Sequence, residues 1–207
     1  MGYFPFFVDL NNKTGLIIGG GKQALEKIER FRPYGVKLHI IAPDFLPEIM
    51  QDTTVTLSKR EFIEQDLDTF PDFVIASTEE KEVNQRILAL CRERRILVNS
   101  VDDLEHCDFI FPSLIKRGKL SIGICTAGAS PSVGIQIKKK IEQVVPDKIE
   151  EILDWLQEKR PQMLEIISNK KQRFACYHTI SQICMEENRI LTEEEYQEIV
   201  KEFIKEQ

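Results

Sequence analysis

Apolar positions in the first hundred residues come in short continuous runs, each followed by apolar residues spaced three or four apart. This is how a parallel sheet covered by helices on both faces reads. Leu16-Ile17-Ile18 predicts a buried strand running into Gly19-Gly20-Gly21, after which Ala24, Ile28 and Phe31 mark one helical face, closed by Pro33 and Gly35. A second strand is predicted from Val36 to Ala42, closed by Pro43, and a short third around Val55 to Leu57. Phe73-Val74-Ile75-Ala76 is the fourth, followed by a helix with the stripe Val83, Ile87, Leu90 and Cys91. Ile96-Leu97-Val98 is the fifth, leaving Asn99, Ser100, Asp102 and Asp103 at its C-terminal end.

The pattern changes after residue 108. Phe109-Ile110-Phe111-Pro112 and Leu120 to Ile124 predict two strands joined through Lys116-Arg117-Gly118-Lys119, with glycine where a positive φ is needed. Ser130-Pro131 opens a helix, with a capping hydroxyl and a proline at its first position, whose stripe is Val133, Ile137, Ile141 and Val144; Pro146 stops it. From Asp147 the chain reads as helices only, one carrying Ile149, Ile152, Leu153 and Leu156, the last carrying Tyr196, Ile199, Val200 and Phe203. Thr192 with Glu195 forms a capping box for that last helix. The predicted class is α/β: a Rossmann-like parallel-sheet domain over residues 1–112, a small strand-helix segment over 113–146 and an all-helical domain over 147–207.

Composition narrows the function classes. A formal charge of −6 on 207 residues lacks the basic surplus that neutralises nucleic-acid phosphates, so no nucleic-acid partner is expected. No apolar run approaches the ~20 residues that span a bilayer, and Met1-Gly2-Tyr3-Phe4-Pro5 matches neither a secretory leader nor the myristoylation pattern; a cytoplasmic protein without membrane partners is expected. The five cysteines are scattered without a Cys-x-x-Cys pair, which predicts reduced, mostly buried thiols.

Gly19-x-Gly21-x-x-Ala24 sits directly after a predicted strand and opens a predicted helix, the context in which this spacing binds a dinucleotide. The first glycine turns the chain sharply, the second lets a pyrophosphate approach the backbone, and the small third residue lets the helix pack on the strand. The helix start offers free N–H groups and partial positive charge to the phosphates. A merely tight strand-to-helix turn is the plainer alternative. The ribose-holding acid expected at the end of the second strand is displaced to Asp44, beyond Pro43. Neither Arg nor Lys occurs between Ile40 and Gln51, so a 2′-phosphate has no evident partner there and NAD is favoured over NADP.

These features, with others spread along the chain, resemble the precorrin-2 dehydrogenases of the siroheme-synthase N-terminal type, which convert precorrin-2 to sirohydrochlorin. The residues carrying the resemblance are Phe4 to Leu10, the triple glycine with Lys27, Ala76-Ser77-Thr78 to Asn84, Val98 to Asp102, Phe109 to Ser113 and Thr126 to Pro131. Together they span roughly the first 145 residues in consistent order; the helical tail matches in type and length only. The resemblance implies a homodimer, residues 113–146 as its dimerisation segment, and an active site in a cleft between domains. It makes Asp102 the residue tied to chemistry, with Asp103 only its neighbour. Independently, ligands of open α/β sheets bind beyond the carboxyl ends of the strands, where Asp102 lies; a turn or cap role is the alternative there.

The expected NAD site comprises Gly19, Gly20, Gly21, Lys22, Gln23, Ala24, Asp44, Ser77 and Thr78. The implied substrate is a macrocycle with eight carboxylates, for which Lys116, Arg117, His106 and Ser130 are the expected contacts, although a basic turn and a loop histidine are also ordinary surface features. Cys125-Thr126-Ala127 departs from the family's usual Ser-Thr-Gly, which leaves the role of the Thr126 to Ser130 segment open. His39 reads as structural. The competing activity is insertion of Fe²⁺ or Co²⁺ into sirohydrochlorin, alone or as a second reaction; no His and carboxylate constellation marks a metal site. A non-catalytic sensor is a third class, against which the presence of Asp102 speaks.

Overall fold

The computed structural model describes residues 2–205; Met1, Glu206 and Gln207, which the predicted domain limits include, lie outside the described residues. The chain forms two compact units, Met1–Phe111 and Pro112–Gln207. In the first, β1 (Thr14–Ile18) leads through the glycines into α1 (Lys22–Phe31), then β2 (Lys37–Ala42), a single turn α2 (Pro47–Met50), β3 (Thr56–Lys59), β4 (Phe73–Ala76), α3 (Lys81–Arg94) and β5 (Leu97–Ser100).

The five strands are all parallel, in the order β3-β2-β1-β4-β5. The chain therefore builds outward from β1 to β3, then crosses to the other side of β1. The gap between the ends of β1 and β4 is a topological switch point, where open α/β sheets hold ligands.

Strands β1, β2, β4 and β5 are largely buried on both faces, which explains their continuous apolar runs, whereas the edge strand β3 is only partly covered. Leu16 and Ile18 of β1 join Val74, Ala76 and Val98 against Ile87, Leu88 and Cys91 of α3, whereas Ile17 joins Ile40 and Ile75 against Ala24, Ile28 and Phe31 of α1. Full burial of a side chain such as Ile28 contributes about 1.5–3 kcal/mol. Gly35, at φ +66, ends the 3₁₀ turn after α1, where the sequence placed the stop.

The predicted strand Phe109–Pro112 does not form. Phe109 and Phe111 turn into the α1 side of the core, their rings 6.0 Å from Phe73 and 5.5 Å from Phe31 respectively. Their segment satisfies its polar groups on β5 without a ladder: Asn99 Nδ2 donates to the Phe109 carbonyl, the Val98 amide donates to the Asp108 carboxylate, and the Asp108 amide donates to the Val98 carbonyl. Aromatic burial and side-chain acceptors outweigh strand propensity here.

In the second unit the hairpin is β6 (Ser113–Arg117) paired antiparallel with β7 (Leu120–Ile124), so Lys116 and Arg117 are strand residues and the turn narrows to Gly118-Lys119, with Gly118 at φ +51. Next come α4 (Pro131–Val144), α5 (Ile149–Ile166), α6 (Lys170–Glu187) and α7 (Glu193–Lys205). Helix α4 packs on the hairpin through Gly134, whose Cα approaches Ser113 so closely that a Cβ would lie 3.0 Å from its Oγ. Much of its predicted stripe faces outward: Val133, Ile137 and Val144 are exposed, and so is Ile135 on another side of the helix. Ile152, Met163, Cys176, Ile180, Tyr196 and Val200 form the core of α5 to α7.

The capping box of α7 is present, the Thr192 amide donating to Glu195 and the Glu195 amide to Thr192 Oγ1. Arg189 adds a two-pronged contact to the Glu195 carboxylate at 2.7 and 2.8 Å. First the guanidinium and then the Thr192 amide hold the Glu195 carboxyl below its ordinary 4.5, at about 2. A depressed folded-state pKa stabilises fully above pH 4.5, and that share is lost as pH falls toward 2. Glu195→Gln is thus expected to flatten the acid limb of a melting-temperature profile taken between about pH 2 and 6. A variant with the same acid limb as the parent would remove Glu195 from the acid response.

All five cysteines are free thiols and four are buried, as their scatter predicted. Among the described residues no helix is long and apolar enough to cross a membrane.

Candidate functional site

The three glycines after β1 answer to different demands. Gly19 has φ +125, which side-chain-bearing residues rarely adopt, and a Cβ there would lie 2.4 Å from the Ser77 carbonyl oxygen. A Cβ on Gly20 would lie 2.1 Å from the Asp44 carbonyl oxygen, and the Gly20 carbonyl accepts from the Leu46 amide. The first two glycines are therefore fixed by the protein's own backbone, one against the loop after β4, the other against the loop after β2. Gly21 differs: a Cβ built on it meets no atom within 4 Å. Its bareness answers to nothing inside the described residues, which is what a backbone surface kept clear for a pyrophosphate requires.

Gly21 is the N-cap of α1 and supplies no side-chain hydrogen bond, and the first turn carries no acidic residue. The exposed first-turn residues Lys22 and Gln23 and the buried Ala24 thus carry the amides that every helix start leaves without intrahelical partners. Ala24 is fully buried against the sheet, the close packing its small size was expected to serve.

The remaining expected cofactor residues gather around this bend. Asp44 is brought to it by the Gly20 contact, with an exposed carboxylate that pairs with Lys59 Nζ at 3.1 Å. Ser77 is buried, its amide and hydroxyl both donating to the Ile18 carbonyl at the end of β1. Thr78 is clamped by Asn84, whose Oδ1 accepts from the Thr78 amide and hydroxyl and whose Nδ2 donates to the Thr78 carbonyl. Asn84 is almost wholly buried on α3 and fixes the β4 loop at the switch point. In the sequence Asn84 shows only as a polar residue between Val83 and Ile87 and as the end of a stretch carrying the family resemblance.

Asp102 stands at the same edge of the sheet, beyond β5, which lies two strands from β1, about 10 Å at ordinary strand spacing. Its carboxylate is exposed and accepts from Ser100 Oγ at 2.5 Å, and the Val101 amide donates to the Ala76 carbonyl, tying the segment to the end of β4. Ser100 was seen in the sequence only as one of a polar group; the structure makes it the hydroxyl that orients Asp102. Cys107 supports the same loop from below, taking the Ser100 amide on Sγ and donating to the Asp103 carbonyl. Burial pushes its thiol pKa up, so it remains protonated and structural. Asp103 caps the short turn Leu104–His106, and its carboxylate holds His106 Nδ1 at 2.8 Å.

The other expected substrate contacts belong to the second unit, each with a role inside it. Lys116 Nζ donates to the Gly118 carbonyl, Arg117 Nη1 reaches the Val145 and Pro146 carbonyls beyond α4 at 3.4 and 3.5 Å, and Ser130 Oγ accepts from the Val133 amide as the N-cap of α4. Ala127, where the resembled family usually has glycine, adopts φ +50, a conformation glycine takes without a Cβ penalty. Among the described residues no three His, Cys, Asp or Glu side chains are grouped so as to hold a metal ion.

A parallel sheet with an unobstructed glycine bend at its switch point defines a dinucleotide-binding domain of the Rossmann type. Residues 6–113 match a family model, NAD_binding_7, described as "Putative NAD(P)-binding", and the chain belongs to that family. The chain is 36% identical over 152 residues to a siroheme synthase of Pseudoalteromonas translucida, covering 72% of this chain and 32% of that protein. It is 34% identical over 176 residues to a siroheme synthase of Acinetobacter baylyi, covering 84% of this chain and 38% of that protein. The chain thus spans about a third of the length of these curated relatives. Among solved structures, SirC, a precorrin-2 dehydrogenase, has the same fold, with a TM-score of 0.76 at 22% identity over 98% of this chain and 100% of that one.

Proposed function

We propose that this chain is an NAD-dependent precorrin-2 dehydrogenase, removing a hydride and a proton from precorrin-2 to give sirohydrochlorin. The observation that carries the reading is that one sheet edge holds both the clear backbone surface over Gly21 and the exposed, Ser100-oriented carboxylate of Asp102. The names of the siroheme synthases and of the SirC structure support the choice of substrate.

A bound nicotinamide dinucleotide supplies the hydride acceptor. The amides of Gly21, Lys22, Gln23 and Ala24 hold its pyrophosphate, Gly19 and Gly20 shape the bend, and Asp44 takes the ribose hydroxyls. Ser77 and Thr78 wall the site from the β4 side. Asp102 receives the proton that leaves as hydride departs, so charge does not accumulate on the macrocycle. On the first unit His106 is the group offered to a carboxylate of the substrate, and on the second unit the groups are Lys116, Arg117 and Ser130; the two long contacts of Arg117 Nη1 leave most of its five guanidinium donors for an anion. The exposed apolar stripe of α4, Val133, Ile137 and Val144, pairs two copies of the chain into a homodimer.

Purified chain given precorrin-2 and NAD is expected to release NADH and sirohydrochlorin in equal amounts. Absence of NADH from a preparation shown to bind NAD would overturn the dehydrogenase reading, and adding Fe²⁺ or Co²⁺ separates metal insertion from oxidation. Sedimentation of the same preparation is expected to give twice the chain mass; a monomer at the assay concentration would refute the α4 pairing.

A further inference from the structure

The geometry points to Lys59 as a 2′-phosphate ligand that makes the preference for NAD shallow, so that the site also takes NADP. This inference rests on the proposed dinucleotide site at the glycine bend. The residues after β2, from Pro43 to Gln51, carry no cation, but the sheet supplies one from β3. Ala42, the last residue of β2, lies in register with Lys59, the last residue of β3, and the Arg60 amide donates to the Ala42 carbonyl. The two strand ends are thereby fixed side by side. The Lys59 ammonium reaches the carboxylate of Asp44, whose own backbone presses on Gly20. A cation and an anion thus stand together where the adenosine ribose of a dinucleotide lies in this fold.

Asp44 alone would accept the two ribose hydroxyls of NAD and repel the phosphate of NADP. Lys59 cancels that repulsion. Both side chains are mostly exposed, 88% for Asp44 and 64% for Lys59, so their pairing is weak and the ammonium can move from carboxylate to phosphate at little cost. The neighbouring Arg60 is not the ligand. Its guanidinium is spent on Asp66, at 2.5 and 2.8 Å, with a further hydrogen bond to the Glu61 carbonyl. Burial acts to raise the Asp66 carboxyl, but Arg60 and the Ile63 amide outweigh it and hold its pKa low, keeping that pair intact near neutral pH.

The test is a titration of the full chain with NAD and, separately, with NADP at low and high salt. For the parent chain, NADP is expected to bind within about tenfold of NAD, about 1.4 kcal/mol. Its affinity should fall more steeply with salt than that of NAD, since one more exposed ion pair is screened. In Lys59→Ala the ratio of the NADP to the NAD dissociation constant should rise at least about tenfold, Lys59→Arg should keep the parent ratio, and Asp44→Asn should shift the ratio toward NADP. A parent chain that binds NAD but discriminates against NADP by about 100-fold or more, or a Lys59→Ala ratio equal to the parent's, overturns the assignment and leaves the glycine-bend site standing. Failure of both nucleotides to bind overturns the site itself, and the assignment with it.

Discussion

Asp102→Asn is expected to lower the rate of precorrin-2 oxidation by roughly 10² to 10⁴ while leaving NAD affinity and thermal stability nearly unchanged, the range over which a positioned general base contributes. Asparagine keeps the side-chain oxygen that Ser100 Oγ contacts at 2.5 Å, so the loop has no reason to rearrange. The position is exposed, where substitutions usually stay within about 0.5 kcal/mol. What the change removes is the capacity to receive a proton. Steady-state rates together with a nucleotide titration check this, and unchanged turnover would clear Asp102 of the role.

At the glycine bend the structure separates two substitutions that look alike in the sequence. Gly21→Asp is expected to weaken dinucleotide binding at least about 100-fold with little loss of stability, because its Cβ meets nothing within 4 Å and its charge faces the pyrophosphate. Gly20→Ala is expected to do the opposite, costing about 1–3 kcal/mol of stability through the 2.1 Å approach of its Cβ to the Asp44 carbonyl oxygen. Melting curves alongside titrations distinguish them. Retained affinity in Gly21→Asp would place the dinucleotide away from this bend.

The contrast shows what the pattern G-x-G-x-x-A can and cannot say. It marks a turn built on glycines, but three glycines in a row give no sign of which is bare for the protein's own sake. That distinction needs the loops after β2 and β4, which arrive from residues 44 and 77. The resemblance singled out Asp102 within a polar group that directly follows an apolar strand; Ser100 was not singled out, since its value lies in a side-chain contact two residues on. Residues Ile40 to Gln51 hold no cation, and a third strand ending at Leu57 gives no sign of Lys59 beside them. Its actual end, Lys59, meets Asp44 through strand pairing.

By itself the sequence determined the five strands of the parallel sheet and the two long helices between them. Runs such as Leu16 to Ile18 and Phe73 to Ala76 can be buried on two faces only in a parallel sheet with helices on both sides, and the glycine turn and the Thr192–Glu195 box are local chemistry. Only the tertiary structure decided the destination of Phe109 and Phe111, the outward face of α4, the clamp of Asn84 on Thr78 and the meeting of Lys59 with Asp44. The physical reason is range. Periodicity and turn chemistry are set within a few residues, whereas packing and charge pairing depend on which distant segments the sheet register brings side by side.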